Sequence, residues 1–175
     1  GRAVAVQGIA RDITQRKAAE TAIHESEQRL LDIINFLPDS TFVIDKEGKV
    51  IAWNKAMEEM TGIEAKDILG KGNYEYAVPF FGCARPILID LVLQPDAEVA
   101  GYYILKKDQA RLSGETFCPY LGSQGAYMYG TASPIYDSQG NVVGAIESIR
   151  DVTERRKMEN AVRDSEAKFR TLANT

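Results

Sequence analysis

Histidine is almost missing from this chain: His24 is the only one among 175 residues. That removes the usual proton-transfer partner of a catalytic serine or cysteine and leaves no histidine cluster for a metal. Cysteine is nearly as scarce. Cys83 and Cys118 form neither a C-x-x-C pair nor a metal-ligand spacing, so both are expected as free thiols in a reducing compartment. Long apolar runs are lacking too. Ile87 to Leu93 is the strongest, and Asp90 interrupts it, far short of the roughly 20 residues that span a bilayer. No long apolar run follows Arg2, and Arg11 and Asp12 arrive early, so the N-terminus does not read as a signal peptide. A cytoplasmic location without direct membrane contact is the expectation for this segment, whatever anchors the parent protein. There is no glycine-rich phosphate loop, and with a net charge of −4 there is no general attraction to nucleic acid. The basic cluster Arg155, Arg156 and Lys157 is flanked by Glu154 and Glu159, which reads as a solvated helix face. These absences argue against an enzyme.

What is present is an ordinary soluble composition, 45% hydrophobic and 26% charged, long enough for one domain with some chain to spare. The chain also repeats itself. R-D-I-T-Q-R-K-A-A-E from Arg11 returns 139 positions later as R-D-V-T-E-R-R-K-M-E from Arg150. The likeness continues to Ser26-Glu27 and Ser165-Glu166. A chain holding the tail of one unit (1–14), a whole unit and the head of another is expected to be a piece of a tandem array.

Each copy reads as a strand running into Asp-x-Thr, with the threonine as helix N-cap. In the helices that follow, Met158, Val162, Ser165, Phe169 and Leu172, and likewise Ala19, Ile23, Ser26, Leu30 and Ile33, step alternately by four and three. That 3.5-residue period is a coiled-coil seam. Connector helices over 15–36 and 154–175 are therefore predicted, forming a parallel homodimer or packing on their own domain. Cations in the first turn oppose the helix dipole, and Asp151 and Glu154 are the expected partners of Arg155, Arg156 and Lys157.

Between the connectors, over 37–153, the pattern turns β-rich. Strands are predicted at Ser40–Asp45 and Lys49–Trp53, then helices at Lys55–Thr61, Ala65–Leu69 and Pro86–Leu93. After a short extension at Gly101–Lys106 come strands at Ser113–Leu121, Ala126–Tyr136 and Asn141–Val152. The class is α+β. F-V-I-D-K-E-G-K-V-I-A-W-N-K-A (Phe42–Ala56), M-T-G (Met60–Gly62) and A-S-P-I-Y-D-S-Q-G-N-V-V-G-A-I-E-S-I-R-D-V-T-E-R (Ala132–Arg155) together resemble a PAS domain with its C-terminal PAC motif. Such domains occur in tandem in sensor histidine kinases of bacteria and archaea. The resemblance implies a five-stranded antiparallel sheet, helices over one face, a cavity between them, and signal transfer through the Asp-x-Thr junction.

The same resemblance narrows the cofactor. Haem-binding members use a histidine in the helical half, whereas His24 lies on a connector. Covalent flavin photosensors carry a reactive cysteine in G-x-N-C-R-F-L-Q, a pattern that F-F-G-C-A-R-P around Cys83 lacks. Non-covalent flavin, stacked on Trp53 and the tyrosines, is harder to exclude; a small metabolite, or no ligand, is favoured. The candidate ligand-binding residues are Tyr74, Phe81, Arg85, Phe117, Tyr129, Ser133 and Ser148. Arg85 either holds an anion bidentately or is a surface arginine paired with Asp90 or solvent. Asp151, Thr153 and Arg156 are the signal junction. The expected function is a sensor passing ligand or redox state to a histidine kinase module in the same chain. The alternatives are a ligand-free dimerisation spacer and a sensor for a cyclase or chemoreceptor output.

Overall fold

A strand needs a neighbour for its backbone N–H and C=O groups, and a helix does not. That difference separates the two ends of this chain. The computed structural model describes residues 2–94, 106–108 and 110–173, in two units, Gly1–Leu37 and Pro38–Thr175. The first unit is one helix, α1 (Arg2–Phe36). The strand expected to run into Asp12-x-Thr14 is therefore helix instead, because no sheet is present within that unit to pair with it. Ile23, Leu30 and Ile33 on its seam are each more than half exposed.

In the second unit, β1 (Ser40–Asp45) turns into β2 (Val50–Trp53) over D-K-E-G-K. One oxygen of Asp45 accepts from the N–H groups of Glu47 and Lys49, both at 2.9 Å, and Gly48 takes a φ of 79°. D-S-Q-G-N repeats the device: Asp137 Oδ1 accepts from Gln139 and Asn141 at 2.8 and 2.9 Å. The sequence alone predicts both turns, since aspartate can bond its own backbone and glycine tolerates positive φ.

Asn54 then caps α2 (Lys55–Thr61), its Oδ1 accepting from Met57 N–H and from Thr41 N–H, each at 2.9 Å. One buried side chain thus starts the helix and ties it to β1. Next come α3 (Ala65–Ile68), a 3-10 turn (Glu75–Ala77), α4 (Val78–Phe81) and α5 (Leu88–Leu93). Helix α5 begins at Leu88 rather than Pro86, because Ile87 is extended and its N–H is held at 2.8 Å by Asp90 Oδ2.

The remaining strands are β3 (Lys106–Asp108), β4 (Arg111–Cys118), β5 (Ala126–Tyr136) and β6 (Val142–Asp151), and α6 (Thr153–Ala173) follows. The sheet runs β2-β1-β6-β5-β4-β3 with antiparallel neighbours throughout. It has six strands where five were expected; the extra one is the three-residue β3, paired with Arg111–Ser113. Of the extension predicted at Gly101–Lys106, all but Lys106 lies outside the described residues, with Tyr102 and Tyr103.

The helices cover one face of this sheet. Phe42, Ile44, Met128, Ala132, Ala145 and Ile149 supply the buried sheet side, and Met57, Tyr76, Phe80, Leu88 and Ile89 the helical side. Each such large side chain contributes roughly 1.5–3 kcal/mol by leaving water. The Phe42 ring meets Trp53 at 5.6 Å and Tyr76 at 5.4 Å, while Trp53 Nε1–H donates to the Ile63 carbonyl at 3.1 Å.

Candidate functional site

Side chains alternate across a strand, so a strand's inward set is every second residue. On β4, β5 and β6 the inward set near the helices is Thr116 and Cys118, Met128 and Gly130, and Glu147 and Ile149. With Phe80, Phe81 and Ile87 they line a small pocket under the helices, about 10 Å³ in volume. That is room for about one water molecule. The lining is apolar except for Thr116 and Glu147.

Glu147 is the unusual member. It is 1% exposed, and it stands opposite Ala132 across the β5–β6 ladder, where small neighbours leave space for a carboxyl group. Its Oε2 accepts the Ile89 N–H of α5 at 3.0 Å. Gly130 packs directly against it: a Cβ there would come within 2.7 Å of Glu147 Oε1 and 2.9 Å of Leu88 Cδ2. Burial, and secondarily the negative charge of Asp90, push the Glu147 carboxyl up to about 8, against the opposing Ile89 bond. Asp90 is a second buried acid, 4% exposed. It accepts from the Tyr76 hydroxyl at 2.5 Å and from Ile87 N–H, yet burial still raises it above the ordinary carboxylate range. Burial also pushes the Cys118 thiol up to about 12, so it stays protonated and inert at neutral pH.

Of the seven residues predicted to bind a ligand, the fold brings two together at this pocket. Phe81 lines it, and the Arg85 guanidinium lies 5.0 Å from the Phe81 ring centre. Asp90, the alternative partner for Arg85, has its carboxylate bonded to Tyr76 and Ile87 instead. Tyr74 packs edge-on against Tyr76 at 6.3 Å, in a separate cleft beside Lys46 and Asn73. Phe117, Tyr129, Ser133 and Ser148 have the opposite parity to the pocket residues and stand on the other face of the sheet. There Phe117 meets Tyr127 at 5.0 Å, and Ser148 lies opposite Thr131. Sequence reasoning missed Thr116, Cys118, Met128, Gly130 and Glu147. The available signal was Glu147 itself, a lone acid within V-V-G-A-I-E-S-I.

The junction residues do sit together, with their roles rearranged. Thr153 is not the cap of α6; its hydroxyl accepts the Tyr127 N–H of β5 at 2.9 Å, which pins the helix start to the sheet. Asp151 does the capping, accepting Thr153 N–H at 2.8 Å. Glu154 pairs with Lys157 at 2.9 Å as expected. Arg155 and Arg156 are instead held by Glu115 on β4, with Arg156 Nε at 2.6 Å from Glu115 Oε2 and Arg155 on its other oxygen. Glu115 was not foreseen, because it is 40 residues away in sequence. Arg150, one residue before Asp151, grips Asp39 through both carboxylate oxygens at 3.0 and 2.6 Å. A solvent-open groove of about 1080 Å³ flanks this junction, lined in part by Met60, Leu121, Val152 and Arg155.

An antiparallel sheet with helices over one face, a small pocket between them and a helix leaving the last strand define the architecture of this α+β domain. The chain belongs to the PAS-fold family, whose profile matches residues 34–157; domains of this family are sensory rather than catalytic modules. Its relatives include the virulence sensor protein BvgS of Bordetella bronchiseptica, 26% identical over 168 residues. The protein of the same name from Bordetella pertussis is 28% identical over 158 residues. Each match takes in 90% of this chain, which spans 12% of the length of these curated relatives. Among solved structures, the PAS domain of Bordetella pertussis BvgS superposes with a TM-score of 0.51 at 22% identity, over 83% of this chain and 98% of that one. An RNA-binding light-oxygen-voltage receptor shares the fold at a TM-score of 0.57 and 14% identity, over 85% of this chain and 39% of that one. No helix among the described residues is long and apolar enough to cross a membrane.

Proposed function

We propose that this domain is a cytoplasmic sensor whose pocket state is passed through the Asp151–Thr153 junction and α6 to a histidine kinase module of the same polypeptide. One observation carries the reading: the strands that line the pocket also hold the helix. On β4, Thr116 faces the pocket while its neighbour Glu115 holds Arg155 and Arg156. On β5, Met128 faces the pocket while its neighbour Tyr127 donates its N–H to Thr153. A displacement of either strand by something in the pocket is therefore felt at the first turn of α6. The exposed 3.5-period seams, with Met158, Val162 and Phe169 on α6, support a parallel homodimer that would carry the displacement onward. The relatives, named virulence sensor proteins, support the sensory reading, and the tandem occurrence of such domains in sensor histidine kinases makes a kinase output the first choice over a cyclase or chemoreceptor.

The test is Glu115→Gln in the full-length polypeptide, with autophosphorylation and hydrogen exchange of α6 as readouts. Loss of the clamp should speed exchange in the first turn of α6 and change the autophosphorylation rate, with little change in global stability. Unchanged exchange and unchanged phosphorylation would refute the coupling. A second reading, a ligand-free dimerisation spacer, draws support from the pocket's size of about 10 Å³ in this state.

A further inference from the structure

The pocket is built to offer one polar end. Glu147 is all but fully buried, and among the described residues its hydrogen-bond partner is the Ile89 N–H, on Oε2. The other oxygen, Oε1, lies against Gly130, within 2.7 Å of where a Cβ would stand. Thr116 lines the same pocket, and the other walls are Phe80, Phe81, Ile87, Cys118, Met128 and Ile149. A single carboxyl group at the end of an apolar slot matches a ligand of the same build.

Resting on the sensory reading above, we infer that this pocket takes a compact apolar molecule ending in N–H donors, an amidine, amine or amide, bonded to Glu147 and Thr116. An anion of the same shape is rejected, because the apolar lining would strip its water and the buried Asp90 lies beyond Glu147. The ligand enters by displacing the Phe81 ring, which closes the pocket as the last residue of α4. That ring is half-buried, carries Arg85 on it, and is followed by Gly82 at a φ of 73°, where the helix ends.

The electrostatics add a signature. With its carboxyl pushed up to about 8, Glu147 keeps its proton at neutral pH. The other titratable groups around it are Asp90 on α5, bonded to Tyr76 and Ile87, the Tyr76 hydroxyl, which burial and these acids keep protonated, and the neutral thiol of Cys118 on β4. A cationic donor therefore expels the Glu147 proton on binding, and a neutral amide leaves it in place.

The test uses three probes of one shape: benzamidine, benzamide and benzoate. Each is titrated calorimetrically into the full chain and into F81A, where the missing phenyl leaves room for the probe ring; F81L replaces F81A if that variant does not fold. Both donors should bind the Phe81 variant about 10-fold or more tighter than benzoate: benzamidine because it pairs with the carboxylate it deprotonates, benzamide because it can donate to and accept from the neutral carboxyl without burying a charge. Benzamidine should release close to one proton near pH 7, read from the buffer dependence of the heat. Adding E147Q should abolish that release and weaken benzamidine about 10-fold, while benzamide stays within about 3-fold. Benzoate binding as tightly as benzamidine, or neither donor binding the Phe81 variant, overturns the inference. Hydrogen exchange of α6 separates it from the sensory reading. Binding that depends on Glu147 but leaves α6 unchanged supports the ligand class and sinks the coupling. An α6 that responds to E115Q while no donor binds does the reverse.

Discussion

Replacing Glu147 by glutamine keeps the shape of the side chain and its acceptor for the Ile89 N–H, and removes only the titration. In the unfolded chain the carboxyl titrates at its ordinary value near 4.5; in the fold it is pushed up to about 8. The folded state therefore holds the proton more tightly. Its advantage is complete below about pH 4.5 and is lost as pH rises through about 8. Integrating the linkage between those two values, wild type should lose about 3–4 kcal/mol relative to E147Q between pH 5 and pH 8. For a domain of this size that corresponds to on the order of 10 °C in melting temperature. Taking wild type minus variant removes the carboxylates common to both, such as Asp137, which Asn141 holds below its usual range. Urea unfolding followed by the fluorescence of Trp53 would measure it, since that is the one tryptophan and it is 5% exposed in the core. Stability curves of the two proteins that run parallel from pH 5 to pH 8 would show that the carboxyl is not buried as described, and the reasoning about the pocket would fall with it.

Two further substitutions probe the pocket wall and the junction. Gly130→Ala drives a methyl group into Glu147 Oε1 and Leu88 Cδ2, so overpacking should cost about 1–3 kcal/mol in chemical denaturation; a neutral result would mean that the carboxyl can move aside. Thr153→Val keeps the side-chain shape but deprives the Tyr127 N–H of its acceptor. It should cost about 1 kcal/mol and speed hydrogen exchange at Tyr127, whereas Thr153→Ser should behave like wild type.

Much of this was legible in the chain itself. D-K-E-G-K and D-S-Q-G-N predict their turns because aspartate and glycine meet the local backbone requirement without outside help. Asn54 and the alternation in S-T-F-V-I-D are local in the same way. The functional residues were harder because they depend on partners far away in sequence. Alternation says that Phe117, Tyr129 and Ser148 share a face, but not that helices cover the other face. The polar and aromatic residues Phe117, Tyr129, Ser133 and Ser148 therefore stand on the face of the sheet opposite the helices. The same holds for Arg155 and Arg156, whose partner Glu115 becomes a neighbour only when β4 and α6 meet.

The repeated R-D-x-T segment draws the line most sharply. By sequence the two copies are nearly equivalent, and that determined the connector helices, their seams and the place where a strand should hand over to a helix. Tertiary structure decided which copy does so. Arg150 and Asp151 pair with Tyr129 and Met128 of β5, and Arg150 also grips Asp39. Arg11 and Asp12, in a unit with no strand beside them, continue the helix. Glu147 follows the same rule: the sequence shows one acid in an apolar strand, and only the packing of α5, Gly130 and Asp90 around it makes it a buried, proton-holding group.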